Sequence, residues 1–220
     1  VKENHPLLEW RGGVPVAVRF DDPYFSLADG LAETRHVFLA GNGLPERFRP
    51  GFHIAELGFG TGLNAFAALA AWREAGVAGR LRFTTFERFP LAVGDMRRAL
   101  DAYPEIAALA APLLDGLSER GTRTGDFELE IVLGDARKTL PTWEGSADAW
   151  FLDGFAPSKN PELWGPDLLA EVGRHTNPGG TAATYSAAGA VRAALAEAGF
   201  TVKRVAGYGR KRHMTRAVLP

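Results

Sequence analysis

Glu56-Leu57-Gly58-Phe59-Gly60-Thr61-Gly62-Leu63-Asn64 lies between a short apolar run, Phe52 to Leu57, and an alanine-rich stretch at 63–75. The apolar run reads as a buried parallel strand, and the alanine-rich stretch as a helix ended by Gly76. Three glycines between them permit positive φ and a close approach of backbone to a ligand. The helix behind them offers free N–H groups and the positive end of its dipole. In open α/β sheets, ligands bind at the carboxyl ends of the strands, where the strand order reverses.

Outward from this loop, strands and helices alternate. Leu81 to Phe86 reads as a second strand, with helices at 90–102 and 104–119 after it. Phe127 to Leu133 and Asp148 to Leu152 read as a third and a fourth strand. A helix near 162–175 stops before the turn signal Asn177-Pro178-Gly179-Gly180. Thr181 to Tyr185 is a fifth strand, 188–198 a helix, and 200–206 with 216–219 a terminal hairpin. This order predicts an α/β fold with a mostly parallel sheet covered on both faces. Residues 1–50 fall outside the alternation. They read as an N-terminal extension packed on the domain formed by 51–220, and as a lid for its site.

A chain of 220 residues, 46% hydrophobic and 23% charged, is long enough for one core without staples. The absence of cysteine excludes a disulfide framework, a thiolate zinc site and a cysteine nucleophile. His5, His36, His53, His175 and His213 show no ligand spacing, so no metal site is expected. No apolar run approaches the roughly 18 residues of a membrane span, and the first residues lack an apolar leader core. The expectation is a soluble, cytoplasmic protein. Net charge is -1, yet residues 201–220 hold six basic side chains and no acid. A basic edge on an acidic body suggests a localised contact with an anion.

Which ligand the glycine loop takes depends on its spacing. A dinucleotide fingerprint, GxGxxG, would need glycine where Leu63 stands, and no GxxxxGK[ST] run exists. GxGxG with an acid two residues ahead resembles the S-adenosylmethionine loop of class I methyltransferases. In that resemblance Glu56 lies near the amino-acid end of the cofactor, and Gly58, Gly60, Thr61, Gly62 and Asn64 admit its ribose and methionine parts. Glu87, at the end of the second strand, suits the ribose hydroxyls. Asp135, at the end of the third, suits the adenine amino group or a helix cap. Asp153 ends the fourth strand and opens a Gly/Pro-rich loop to Trp164. A carboxylate there can orient an amine and accept its proton. Phe155 is placed to stack on a heterocycle. Trp10, Trp72, Trp143, Trp150 and Trp164 read as packing residues.

Seven runs together resemble the family of bacterial methyltransferase domains that complete 5-methylaminomethyl-2-thiouridine at the tRNA wobble position. They are Asp22 to Ser26, Glu33 to Arg35, Glu56 to Asn64, Glu87 to Pro90, Trp150 to Trp164, Pro178 to Thr181 and Gly209 to Arg212. The resemblance implies a Rossmann-like class I fold, with a seven-stranded sheet and an antiparallel terminal strand. It implies S-adenosyl-L-methionine as methyl donor and the amine of 5-aminomethyl-(2-thio)uridine 34 in tRNA as acceptor. Asp153 would be the catalytic residue and would also border the cofactor. Tyr24, with Phe25 and Arg35, would close the cofactor pocket from the N-terminal side. Phe155, Pro157, Lys159, Arg210, Lys211 and Arg212 would meet the anticodon loop. Better-known members carry a second, FAD-dependent domain, so this chain reads as the stand-alone form. A partner enzyme would then supply the aminomethyl group. Arg88 stands where lysine is expected, which keeps the charge.

Three other readings compete with this one. The chain could methylate a small-molecule amine, serve as a non-catalytic tRNA-binding subunit, or bind a nicotinamide cofactor. A requirement for tRNA, cofactor binding and a cofactor screen separate them in turn. No contact with DNA or membrane is expected.

Overall fold

The computed structural model describes residues 5–26 and 29–220. The chain opens with a small antiparallel sheet of β1 (Leu8–Arg11), β2 (Val14–Ala17) and β3 (Asp22–Pro23), in that order. α1 (Gly30–Thr34) follows, capped by the Asp29 carboxylate, which accepts from the Ala32 N–H at 2.9 Å. The helix runs on through a π-turn at Arg35–Leu39 and a tighter turn at Ala40–Asn42. Residues 30–42 are thus helical without a break.

Then comes the alternating body. β4 (His53–Leu57) leads to α2 (Leu63–Glu74), β5 (Leu81–Glu87), α3 (Val93–Leu100) and α4 (Pro104–Asp115). β6 (Gly121–Arg123), β7 (Phe127–Leu133), α5 (Ala136–Thr139) and β8 (Ala147–Leu152) follow. α6 (Pro166–Arg174), β9 (Thr176–Thr184), α7 (Gly189–Glu197), β10 (Thr201–Ala206) and β11 (His213–Val218) complete it. The sheet order is β10-β11-β9-β8-β4-β5-β7-β6. β9, β8, β4, β5 and β7 are parallel, as expected, and β10 and β11 form the antiparallel hairpin at one edge. The short strand β6 adds an eighth member, antiparallel on the far edge. Three residues are too few to leave an alternation in sequence.

The two central strands are buried along their whole length, because helices cover both faces. On one face Phe66, Phe83 and Phe151 pack with α2, α4 and the turns after α1. On the other, Phe86, Trp150, Leu169 and Leu195 pack beneath α6 and α7. The turn signal at 177–180 falls inside β9 as an irregularity, between the pairs Ala147↔Thr176 and Ala149↔Thr181. Asp148 ties that excursion down. Its carboxylate accepts from Asn177 Nδ2 at 2.9 Å, from Arg49 at 2.7 Å and from the His53 N–H at 2.9 Å.

Candidate active site

β4 is flanked by β5 and β8, so the strand order reverses beside it, and the glycine loop leaves its carboxyl end at that point. Gly58 has φ 91°, and a Cβ there would stand 2.3 Å from the carbonyl oxygen of Asp153. Gly60 has φ 52°, and a Cβ would press on the Tyr24 ring at 3.0 Å. Glycine is thus required by both torsion and space. The Glu87 carboxylate clamps the loop from β5. One oxygen accepts from the N–H groups of Phe59 and Gly60 at 2.9 and 3.1 Å, and the other from Phe89 N–H at 2.7 Å.

Beneath the loop, Asn64 joins two carboxyl groups. Its Nδ2 donates to Glu56 Oε1 at 2.9 Å and to Asp153 Oδ2 at 2.7 Å, while its Oδ1 accepts from Thr34 at 2.8 Å. Glu56 also accepts from Thr85 at 2.8 Å and is fully buried. Burial, with Asp153 nearby, holds its carboxyl well above the usual range. Glu56 is absent from the cavity wall. Its contacts support Asn64 from behind, where the sequence suggested a direct approach to the cofactor. Asp153 does face the cavity. Desolvation pushes it up to about 7, against the opposing pull of the Asn64 hydrogen bond.

Gly154 and its neighbours are pinned from several sides. Tyr185 donates to the Gly154 carbonyl at 2.6 Å, Trp164 Nε1 to the Phe155 carbonyl at 2.9 Å, and the Ala156 N–H to Asp22 at 2.8 Å. Trp164 is buried, as a packing residue should be. Phe155 lies on the cavity wall but already stacks on Phe20 at 4.6 Å, with Tyr24 edge-on at 5.1 Å. The N-terminal residues Phe20, Asp22, Tyr24 and Phe25 thus wall the same cavity. Burial raises the Tyr24 phenol well above its ordinary pKa and keeps it neutral. Arg35 is elsewhere, absent from this cavity and paired with Glu105 at 2.5 Å.

Asp135 both caps α5 and lines the cavity. Hydrogen bonds from Arg137, joined by the charge of Arg88, lower its carboxyl to about 2. Lys159 reaches Asp21 at 3.2 Å on the cavity rim. Arg210 and Lys211 line the mouth from the β10–β11 loop. Lys211 is paired, to Glu33 at 2.8 Å. Among the described residues, Arg210 and Arg212 have no ion-pair partner. Arg212, Pro157 and Gly62 do not reach the wall, so the structure does not bring them together with the others. Sequence reading gave no role to Phe20, Asp22, Glu33 or Tyr185. The runs Asp22 to Ser26 and Glu33 to Arg35 drew attention to two of these neighbourhoods without separating their side chains.

The groups that reach the wall enclose one cavity of about 1340 Å³, wide enough for a nucleoside cofactor and a second nucleoside-sized group. The glycine cradle, which Cβ atoms would fill, and the Glu87 and Asp135 carboxylates at successive strand ends suit an S-adenosyl group.

Known proteins agree with this geometry. Residues 113–220 match the model of an S-adenosyl-L-methionine-dependent methyltransferase family. The chain is 47% identical to the tRNA 5-methylaminomethyl-2-thiouridine biosynthesis bifunctional protein MnmC of Pseudomonas paraeruginosa, over 96% of its own length. It is 45% identical to the protein of that name from Caulobacter vibrioides, over 97%. It spans only about a third of those relatives, 34% and 38%. The crystal structure of MNMC2 from Aquifex aeolicus superposes with a TM-score of 0.78 at 29% identity. That match covers 99% of this chain and 72% of the other. The glycine cradle, the acids at the strand ends and these likenesses lead to one conclusion: the chain belongs to the S-adenosyl-L-methionine-dependent methyltransferases.

Proposed function

We propose that the chain methylates the primary amine of 5-aminomethyl-(2-thio)uridine at position 34 of tRNA. The product is the 5-methylaminomethyl nucleoside. The name of those relatives supports this acceptor. The observation that carries it is Asp153, at the end of β8 on the cavity wall, with its carboxyl near 7.

An alkylamine is mostly protonated at neutral pH and attacks only once a proton has left. A base with a pKa near the working pH combines a usable carboxylate fraction with real proton affinity. Asp153 fits that requirement, and Asn64 holds one of its oxygens so that the other is free for the amine. Asn64, braced from behind by Glu56, and Thr61 with Gly58 and Gly60 would seat the methionine and ribose end of the cofactor. Glu87 would hold the ribose hydroxyls and Asp135 the adenine. When bound, the cofactor supplies a methyl on a positive sulfur, which the amine lone pair takes as the carbon–sulfur bond breaks. The released proton passes to Asp153 and on to water. Proximity and exclusion of water by the aromatic wall supply most of the remaining rate.

In this reading residues 1–50 are an extension that walls the site, and 51–220 are the methyltransferase domain. The anticodon loop would enter past Lys159, Arg210 and Arg212. The aminomethyl group would come from an activity that removes a carboxymethyl group from the side-chain nitrogen, and the reaction belongs in the cytoplasm with tRNA. No helix among the described residues is long and apolar enough to cross a membrane.

The test is transfer of labelled methyl to tRNA carrying 5-aminomethyluridine 34, beside tRNA with plain uridine there. Label on the first alone is the expected result. Label on neither, with cofactor bound, overturns the acceptor and favours a small-molecule amine.

A further inference from the structure

Lys211 comes from the exposed β10–β11 loop, yet its ammonium points at the cavity wall. Nζ lies 2.8 Å from Glu33 Oε1 and 3.8 Å from the centre of the Tyr185 ring. The Glu33 side chain is only 12% exposed, while that of Lys211 is 44% exposed. The Tyr185 hydroxyl is tied to the carbonyl of Gly154, the residue after Asp153. A carboxylate and an aromatic face around one ammonium form a receptor for alkylammonium groups in general. All three residues line the large cavity.

We infer that Glu33 and the Tyr185 face form the receptor for the substrate's aminomethyl ammonium, and that Lys211 occupies it as a stand-in until RNA arrives. The inference rests on the proposed amine acceptor. Lys211 Nζ already fills the position between the Glu33 carboxylate and the Tyr185 ring, so the substrate ammonium can take that position only as Lys211 leaves it. Its stem is flexible and its loop carries Arg210 and Arg212, so an RNA phosphate is the natural destination for it. Release of the stand-in by backbone binding then opens the receptor only when tRNA is present. The electrostatics agree, since the charges of Glu33 and Lys211 both act on Asp153, in opposite directions. The substrate ammonium is therefore held beside the base that takes its proton.

The experiment measures equilibrium affinity for two tRNAs, one with 5-aminomethyluridine 34 and one with plain uridine, without cofactor and below pH 8. Wild-type protein should prefer the aminomethyl form. Glu33→Gln should erase that preference and leave affinity for the plain tRNA within about twofold. Lys211→Met should weaken both affinities yet widen the preference, because the receptor stands empty. Tyr185→Leu should lose the preference, and Tyr185→Phe, which keeps the ring, should retain it. A merely structural ion pair predicts that Glu33→Gln and Lys211→Met behave alike, and that result overturns the receptor. So does a preference that survives Glu33→Gln in a protein that melts like wild type. If wild-type protein methylates the aminomethyl tRNA while these variants keep their preference, the receptor fails and the proposed acceptor stands. If it methylates neither tRNA, the acceptor itself has failed, and the receptor with it.

Discussion

Asn64 and Asp153 meet at 2.7 Å, side-chain amide to carboxylate, across the junction between the start of α2 and the end of β8. The same amide nitrogen donates its other hydrogen to Glu56. One residue therefore orients the candidate base and satisfies a buried carboxyl behind it.

Asn64→Ala removes the one hydrogen bond that lowers the Asp153 carboxyl. The acid limb of the pH–rate profile for methyl transfer should sit near pH 7 in the wild type and move to higher pH in the variant. Loss of the donor also leaves buried Glu56 with one partner fewer, at about 1–3 kcal/mol. Single-turnover rates across pH 6–9 and a thermal melt check both; an unmoved limb would count against Asp153 as the base.

Asp153→Asn should abolish most transfer and yet stabilise the fold at pH 8. The reason is the sign of the shift, from the ordinary 3.8 to about 7. Below about pH 4 both folded and unfolded chains hold the proton. As pH rises from there to about 7, the unfolded chain loses this proton while the folded state still holds it, so stability falls. The neutral amide avoids that loss, on the order of 4 kcal/mol at pH 8. The melting curves of the two proteins should lie closer together at pH 5 than at pH 8.

Glu87→Gln replaces one acceptor oxygen with a donor, facing the N–H of Phe89 or those of Phe59 and Gly60. Affinity for S-adenosylmethionine should drop by about tenfold or more, roughly the worth of one charge-assisted hydrogen bond. Calorimetric titration of the cofactor without tRNA reads this directly.

Replacing Arg210 and Arg212 together with serine should leave cofactor affinity alone. The slope of log affinity for tRNA against log salt should flatten by about 1–2, as two phosphate contacts would predict. A salt series of binding measurements decides it, and an unchanged slope removes the basic loop from the RNA interface.

Gly58→Ala tests the contact between loop and strand end. With φ at 91° and a Cβ 2.3 Å from the Asp153 carbonyl, backbone must move. Cofactor binding should be lost, with destabilisation of about 2 kcal/mol or more in a chemical melt.

Much of the fold was legible because its signals are local. The apolar run before Gly58, the alanine-rich helix and the acids at the strand ends each depend on residues a few positions apart. The short strand β6 escaped notice, since three residues carry no period. The turn signal at 177–180 was absorbed into β9 because Asp148, far away in sequence, anchors it. Within the site, Asp153, Glu87 and Asp135 were readable from their place at strand ends. Glu56 was misplaced: in a strand it points to one face or the other, and only packing decided that it would lie beneath Asn64.

Sequence alone determined the class of fold, the glycine cradle and the carboxylates Glu87, Asp135 and Asp153 at three strand ends. Those follow from backbone torsion, hydrophobic periodicity and the rule that ligands gather at carboxyl strand ends. Tertiary structure decided which side chains share the cavity. Phe20 stacks on Phe155 across 135 positions, Thr34 holds Asn64, and Lys211 meets Glu33 across 178. Such pairings leave no periodic trace in the chain. They exist because burial brings distant elements together and each buried polar group must then find a partner.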